Sequence, residues 1–378
     1  MLFITVEGFK QRCQIDGAFM KKYFWLLLVI LNYSLIYSQS KITDLGPQGM
    51  ELVYDMKFNE ANDIFDKIIK LEPKNGYGYF LKSVCYFWMY LKNPQDEAVG
   101  EKYKEISFKS VDVAVEMLDK NEDDVDAMFY LGGAYGNLGR YYSMDKSWWK
   151  AYWDGKKGKN YLKDVVEKDP KYYDAYLGLG IYHYYADVLP KFIKFFSFIL
   201  GIEGDKEQGI KELQLAISKS KNTRTEAMFF LGAIYTDIEK DFKKALPIFK
   251  ELFDKYPNNS IFGLALGKSY WKLGKYELAK NQFQLIFDKF SNDKKVIAYL
   301  NTYGYQLLEQ GSYDEAIEVF QKQVKIFPNK ANSYDSLGDG YRKAGKIKLA
   351  VEQYKKALKI DPGFEESKEK LKELNLKK

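Results

Sequence analysis

Residues 331–362 read ANSYDSLGDGYRKAGKIKLAVEQYKKALKIDP. Leu337 and Tyr341 stand four residues apart before Gly345, and Ala350, Tyr354 and Ala357 follow at four- and three-residue steps after it. That is the spacing of apolar stripes on two α-helices, not of a strand. Gly345 lies where the chain must reverse, and glycine takes positive φ without steric cost. Gly338 is expected to let the second helix approach the first. Ala350 and Ala357 are small where that helix packs. Tyr341 and Tyr354 are expected to fill the space between hairpins. Pro362 is expected to open the next helix, where a missing N–H costs nothing.

The same pattern stands one unit earlier. Gly304, Gly311, Ala316, Phe320 and Pro328 recur 34 residues later as Gly338, Gly345, Ala350, Tyr354 and Pro362. A fixed period of this length marks stacked helical hairpins. The pattern resembles the tetratricopeptide repeat family, most closely in Tyr334-x-x-Leu337-Gly338-x-x-Tyr341-x-x-x-Gly345-x(4)-Ala350-x(3)-Tyr354-x-x-Ala357-x(4)-Pro362. The small residue of the first helix recurs at Gly267, Gly232, Gly180, Gly132, Ser83 and Gly49. That of the second helix recurs at Ala279, Ala245, Gly209, Gly158 and Ala61, and Pro73, Pro170 and Pro257 close units. The resemblance implies an all-α fold, a right-handed superhelix (α-solenoid) of about eight hairpins. Their starts fall near residues 42, 76, 125, 173, 225, 260, 297 and 331. Units over 225–364 are regular and those over 42–224 divergent. Residues 365–378 read as a charged helix that caps the apolar face of the last hairpin.

Spacing between the small residues widens in the divergent part, so units two to four carry insertions. One is Arg140–Trp153, with Trp148, Trp149 and Trp153; another is Val188–Gly201. Surface loops are normally polar, and these are not. Three destinations are open: filling the superhelix groove, lining a pocket, or, for Phe192–Leu200 with Lys191 and Lys194, lying in a membrane interface. That stretch is too short to span a bilayer. Residues 189–209 are also similar, over about 25 residues, to a Pro-rich apolar stretch and Gly-x-Gly-Asp-Arg-like turn in the tetratricopeptide-repeat-39 / inclusion-body-clearance family of eukaryotic membrane-associated repeat proteins. No activity is carried over from it.

In the repeat family the first helix of each unit lines the concave surface, mainly through its second, fifth, ninth and twelfth positions. The fifth and ninth are Phe80 and Val84, Phe129 and Gly133, Leu177 and Ile181, and Phe229 and Ala233 in the earlier units. Later they turn polar, with Asn301 and Tyr305, then Asp335 and Asp339, and Arg342 at a twelfth position. The Lys, Asn and Arg set with which chaperone-binding members hold a peptide carboxylate is not reproduced. The candidate partner-binding residues are therefore Phe80, Phe129, Leu177, Ile181, His183, Tyr184, Phe229, Trp148, Trp149 and Trp153.

Bulk composition agrees with a binding protein. The 58 basic and 52 acidic residues leave a thinly spread charge of +6, without the basic stripe of a nucleic-acid binder. Two cysteines and one histidine exclude a disulfide scaffold and a zinc site. Neither a phosphate-binding Gly-x-x-x-x-Gly-Lys-Ser/Thr loop, a His-Glu-x-x-His helix nor a Gly-x-Ser-x-Gly elbow occurs. The acidic run Asn121–Asp124 suits helix capping better than calcium, lacking a calcium loop's alternation and glycine. No enzyme, metal or cofactor is expected.

At the N-terminus, Met20-Lys21-Lys22 precedes an apolar run from Tyr23 to Leu31 and a small-x-small site, Ser38-x-Ser40. This reads as a secretory signal over residues 20–40, with 1–19 an upstream extension of the reading frame. Asn32 and Ser34 interrupt the run, which disfavours a membrane anchor. The expected function is an exported scaffold for protein–protein interaction in the periplasm or cell envelope. The alternative is a carrier or sensor of an apolar, lipid-like ligand held by the aromatic N-terminal half.

Overall fold

The computed structural model describes residues 42, 44–189, 204–290 and 293–376. The signal-like segment, the Phe192–Leu200 stretch and most of the 189–209 similarity lie outside these. Among the described residues the fold is all helical, eight antiparallel hairpins and a terminal helix. The hairpins pair a helix over 44–54 (α1) with Phe58–Leu71 (α2), Gly76–Lys92 (α3) with Glu97–Leu118 (α4), and Val125–Met144 (α5) with Trp148–Lys168 (α6). Next come Ala175–Asp187 (α7) with Lys206–Lys219 (α8), Arg224–Ala233 (α9) with Phe242–Lys255 (α10), and Ser260–Lys272 (α11) with Tyr276–Lys289 (α12). Lys294–Gln310 (α13) with Tyr313–Ile326 (α14) and Ala331–Lys343 (α15) with Ile347–Ile360 (α16) complete the array, followed by Glu365–Leu376 (α17). Among the described residues no helix is long and apolar enough to cross a membrane.

Local chemistry starts and ends these helices. Asn75, Asp96, Asp124, Asp205 and Asn259 each accept a hydrogen bond from a backbone N–H of the helix they precede. The acidic run at 121–124 thus acts as a cap. At the hairpin turns Gly274, Gly311 and Gly345 take φ of 71°, 86° and 73°. Met56, Lys146 and Lys240 stand at turns of earlier hairpins with φ of 63°, 59° and 54°, a conformation glycine would hold with less strain. Pro362 sits in the turn before α17 rather than inside it.

The first-helix glycine sets how closely each hairpin packs. A methyl on Gly338 would lie 2.5 Å from the Tyr354 ring, on Gly304 2.4 Å from Phe320, and on Gly267 2.3 Å from Phe283. Tyr354 and its equivalents therefore fill space within a hairpin. The Phe283 ring also stands 4.4 Å from that of Tyr303 in the next hairpin, and Phe320 reaches Gly340 of the next, so space between hairpins is filled as expected. Hairpins three and four go further. There Gly132 faces Gly158 and Gly180 faces Gly209, so backbone meets backbone.

The insertions in hairpins two and three are extra helical turns, not loops. Helices α3 to α6 run 17 to 22 residues, against 13 or 14 for α11, α12, α15 and α16. Arg140–Trp153 supplies the end of α5 and the start of α6.

The N-terminal half closes on itself. Lys255 Nζ meets Glu51 Oε1 at 2.9 Å, and the Tyr256 hydroxyl donates to the same oxygen at 3.1 Å. The Asn258 amide donates to Asp55, and the Asn259 amide donates to the Tyr54 carbonyl, both at 2.9 Å. Inside this seam lies Trp88 of α3, fully buried, with ring centroids 4.7 Å from Phe229, 5.6 Å from Phe262 and 5.7 Å from Tyr54. Hairpins one, two, five and six therefore share one core. Phe87 and Trp88 fill the groove toward hairpins five and six, and the tryptophan insert lines the part left open rather than filling it.

The polar C-terminal inner face is not an open charged surface either. Lys370 of α17 lies 2.6 Å from Asp335 and 2.7 Å from Asp339. Ser367 donates to Asp335, and Tyr305 and Tyr354 donate to Asp339. Asp335 and Asp339 are buried as a result. Helix α17 thus neutralises the last hairpin as well as covering it.

Trp88→Ala is expected to lower stability by about 3–5 kcal/mol in chemical denaturation. Trp88→Phe, which also removes an indole N–H left without an acceptor, should cost less. Lys370→Met is expected to cost about 3 kcal/mol, because two buried carboxylates lose their cation. A change within error for either Trp88→Ala or Lys370→Met would contradict the packing described.

Candidate functional site

The closed turn surrounds a cavity of about 850 Å³. Its wall comes from the first helices of hairpins two to five, completed by α1 and α6. All eight fifth- and ninth-position residues of those four helices line it: Phe80, Val84, Phe129, Gly133, Leu177, Ile181, Phe229 and Ala233. Phe80 and Phe129 stand edge to face at 5.5 Å. Gly133 makes this possible, since a methyl there would lie 2.4 Å from the Phe80 ring.

The remaining candidates divide by helical phase. Trp148 lines the cavity, and so does Tyr152 four residues on. Trp149 and Trp153 lie about 100° further round α6 and are 46% and 48% exposed. On α7 the cavity face carries Leu177, Gly178, Ile181, Tyr182 and Tyr185. His183 and Tyr184 fall between these. The His183 ring pairs through Nδ1 with Glu212 of α8 at 2.7 Å, and the fully buried Tyr184 donates to Glu239 at 2.7 Å. These four residues are therefore corrected: Trp149 and Trp153 face outward, and His183 and Tyr184 bond to groups away from the cavity. Sequence reasoning missed Tyr152, Tyr182 and Tyr185, although counting four residues from Trp148 and Ile181 finds two of them. Of the second insert, Val188 and Leu189 line the cavity; residues 190–203 lie outside the described residues.

One polar cluster crosses the apolar wall. The Arg140 guanidinium donates to Glu226 Oε1 at 2.7 Å and also to Asn137 Oδ1. It lies 4.5 Å from the Phe87 ring centre and 5.3 Å from that of Phe230, a favourable cation–π arrangement. The Asn137 amide donates to Ser83, and Tyr103 donates to the Asn137 carbonyl at 2.7 Å. The charges are engaged with each other, which a buried ion pair requires if its desolvation is to be offset. No residue signal marked this pair, because Arg140 and Glu226 stand 86 positions apart.

The site offers little to catalysis. Burial pushes Tyr77 and Tyr185, both on the wall, up to about 12. They are neutral phenols near pH 7, able to donate a hydrogen bond but not to act as bases. Cys85, fully buried, is likewise pushed up to about 12 by burial, so its thiol is unreactive. Among the described residues no group of three metal-ligating side chains comes together.

Helical hairpins stacked around a recess define a helical-repeat solenoid. Residues 264–287 and 295–362 are tetratricopeptide repeats. Family models described as tetratricopeptide repeat match both stretches. The TPR repeat-containing protein MJ1428 of Methanocaldococcus jannaschii is 22% identical over 285 residues, covering 74% of this chain and 41% of that protein. Superkiller protein 3 of Schizosaccharomyces pombe is 26% identical over 136 residues, covering 35% of this chain and 10% of that protein. The chain thus spans well under half the length of these relatives. Among solved structures, the Cut9–Hcn1 hetero-tetramer of the APC/C aligns with a TM-score of 0.47 at 18% identity, over 84% of this chain and 52% of that one.

Two glycines separate packing from open space. A methyl on Gly158 would stand 2.7 Å from the Gly132 carbonyl oxygen, a backbone atom that cannot swing aside, whereas one on Gly136 meets nothing within 4 Å. Gly158→Ala is expected to destabilise by about 1–3 kcal/mol. Gly136→Ala should stabilise by up to about 1 kcal/mol through helix propensity alone. Thermal or urea unfolding of the two variants checks the opposite signs.

Proposed function

We propose that this protein is an exported, non-catalytic scaffold of the periplasm or cell envelope that holds a protein or peptide partner on the inner face of its regular hairpins. The observation that carries this reading is a second recess, of about 390 Å³, on that face. Ile261, Leu264, Ala265 and Lys268 of α11 and Tyr299 and Thr302 of α13 line it, joined by Leu91, Phe229 and Ala233. An apolar lining beside the Lys268–Asp237 ion pair suits a peptide side chain flanked by its backbone. Export is supported by the pattern from Met20 to Ser40.

Two experiments test this. A chain lacking residues 1–38 is expected to be soluble, helical and cooperatively folded, and the exported form to begin near Gln39 or Lys41 by N-terminal sequencing; aggregation of the shortened chain, or an intact cytoplasmic N-terminus, would count against export. Ala265→Trp should fill the second recess and abolish recovery of the partner that the unaltered protein captures from envelope extracts. Equal recovery by both would place the partner elsewhere and defeat the proposal.

A further inference from the structure

One side of the tryptophan insert takes no part in the cavity. Trp149 and Trp153 of α6 are 46% and 48% exposed. They stand one turn apart, on the side of the helix turned about 100° from Trp148 and Tyr152. Folding leaves nearly half of each residue in water, and two exposed indoles together make an apolar patch of the kind that marks an interaction surface.

Lysines surround the pair. Charge is thin along most of the chain, but residues 146–160 carry Lys146, Lys150, Lys156, Lys157 and Lys159 against Asp154 alone. Lys159 belongs to the cavity wall. Lys150, Lys156 and Lys157 share with Trp149 and Trp153 an arc of about 120° on α6. Lys156 Nζ lies 5.7 Å from the centre of the Trp153 ring, and Lys150 Nζ 5.3 Å from that of Tyr142. The Asp154 side chain is only 17% exposed and stands 3.9 Å from Lys157, whose own side chain is 57% exposed. Asp145, just before the helix, accepts from the Ser147 hydroxyl at 2.7 Å. The face shown to solvent is therefore aromatic and cationic.

A protein partner is a poor match for this face. Protein interfaces bury about 800 Å² on each side and are depleted in lysine, whereas this face is one helix wide and lysine-rich. A bilayer surface asks for less. Tryptophan rings seat at the level of the lipid head groups, lysine stems lie along apolar surface with the ammonium among the phosphates, and no fixed partner shape is required. We infer that the outward face of α6, through Trp149 and Trp153 with Lys150, Lys156 and Lys157, docks on an anionic lipid bilayer. The lysines draw the chain to the surface over roughly a Debye length, and the two indoles hold it there. This goes beyond the partner reading above and does not depend on it.

Vesicle flotation of the full-length chain tests the face. Residues 23–31 and 192–200 stay in every variant, so a difference between variants reports α6. Vesicles of phosphatidylcholine with phosphatidylglycerol are expected to carry the protein at about 0.1 M salt and to bind it at least about tenfold more weakly at about 1 M. The double variant Trp149→Ser, Trp153→Ser should weaken binding about tenfold or more by removing apolar contact. The triple variant Lys150→Gln, Lys156→Gln, Lys157→Gln should weaken it about as much by removing attraction to the head groups, and serves if the tryptophan variant fails to fold. Both are expected to keep the helical spectrum and melting temperature of the unaltered protein. Unchanged vesicle binding by either folded variant would overturn the face as the docking surface. Equal binding to pure phosphatidylcholine would overturn the anionic surface. Binding of polyglutamate without binding of vesicles would assign the face to an acidic polypeptide and overturn the bilayer. None of these results bears on the Ala265→Trp experiment.

Discussion

Trp88 is the side chain on which hairpins one, two, five and six converge. A helical-repeat array is ordinarily a one-dimensional object in which each unit touches its neighbours. Here the indole makes ring contacts with Tyr54, Phe229 and Phe262, residues whose positions span more than two hundred residues of chain. Contacts that distant in sequence carry a loop-closure cost, and burial of large aromatic surface offsets it. The hydrogen-bonded seam between Glu51–Asp55 and Lys255–Asn259 then fixes register at the surface, where each bond contributes less than the buried ring.

The cavity follows from this closure. The first helices of hairpins two to five turn their fifth and ninth residues to one space, which contacts such as Phe80–Phe129 and Trp88–Phe229 only partly fill. Phe87 and Trp88 fill the ground toward hairpins five and six, and the space toward hairpins three and four stays open. Glycine contacts in those two hairpins bring α5 against α6 and α7 against α8 at backbone distance, and from α6 Trp148 and Tyr152 reach the wall. The Arg140–Glu226 pair joins hairpin three to hairpin five across the same space. It adds direction where apolar packing has none.

The C-terminal end solves a different problem. Helix α17 covers the inner face of the eighth hairpin. Asp335 and Asp339 would be unpaired carboxylates, and Lys370 supplies their countercharge from the following helix. The regular hairpins between these two ends keep ordinary repeat geometry and leave the recess under Ala265 and Tyr299 accessible.

The repeat itself was written in the chain. Gly338, Gly345, Ala350 and Tyr354 define a hairpin through contacts a few residues apart, so their spacing alone reports helix, turn and packing face. The inner-face set from Phe80 to Phe229 was legible for the same reason, because a helical period assigns one side of each helix. Phase also decided what was misread: Trp149, Trp153, His183 and Tyr184 belong to aromatic runs in which only every third or fourth residue faces inward. The closure at Trp88, the pairing of Arg140 with Glu226 and the cover over Asp335 could not be read this way. They join residues tens to hundreds of positions apart, and their partners are set by how much the superhelix turns per hairpin, a small angle summed over many contacts that no local pattern encodes.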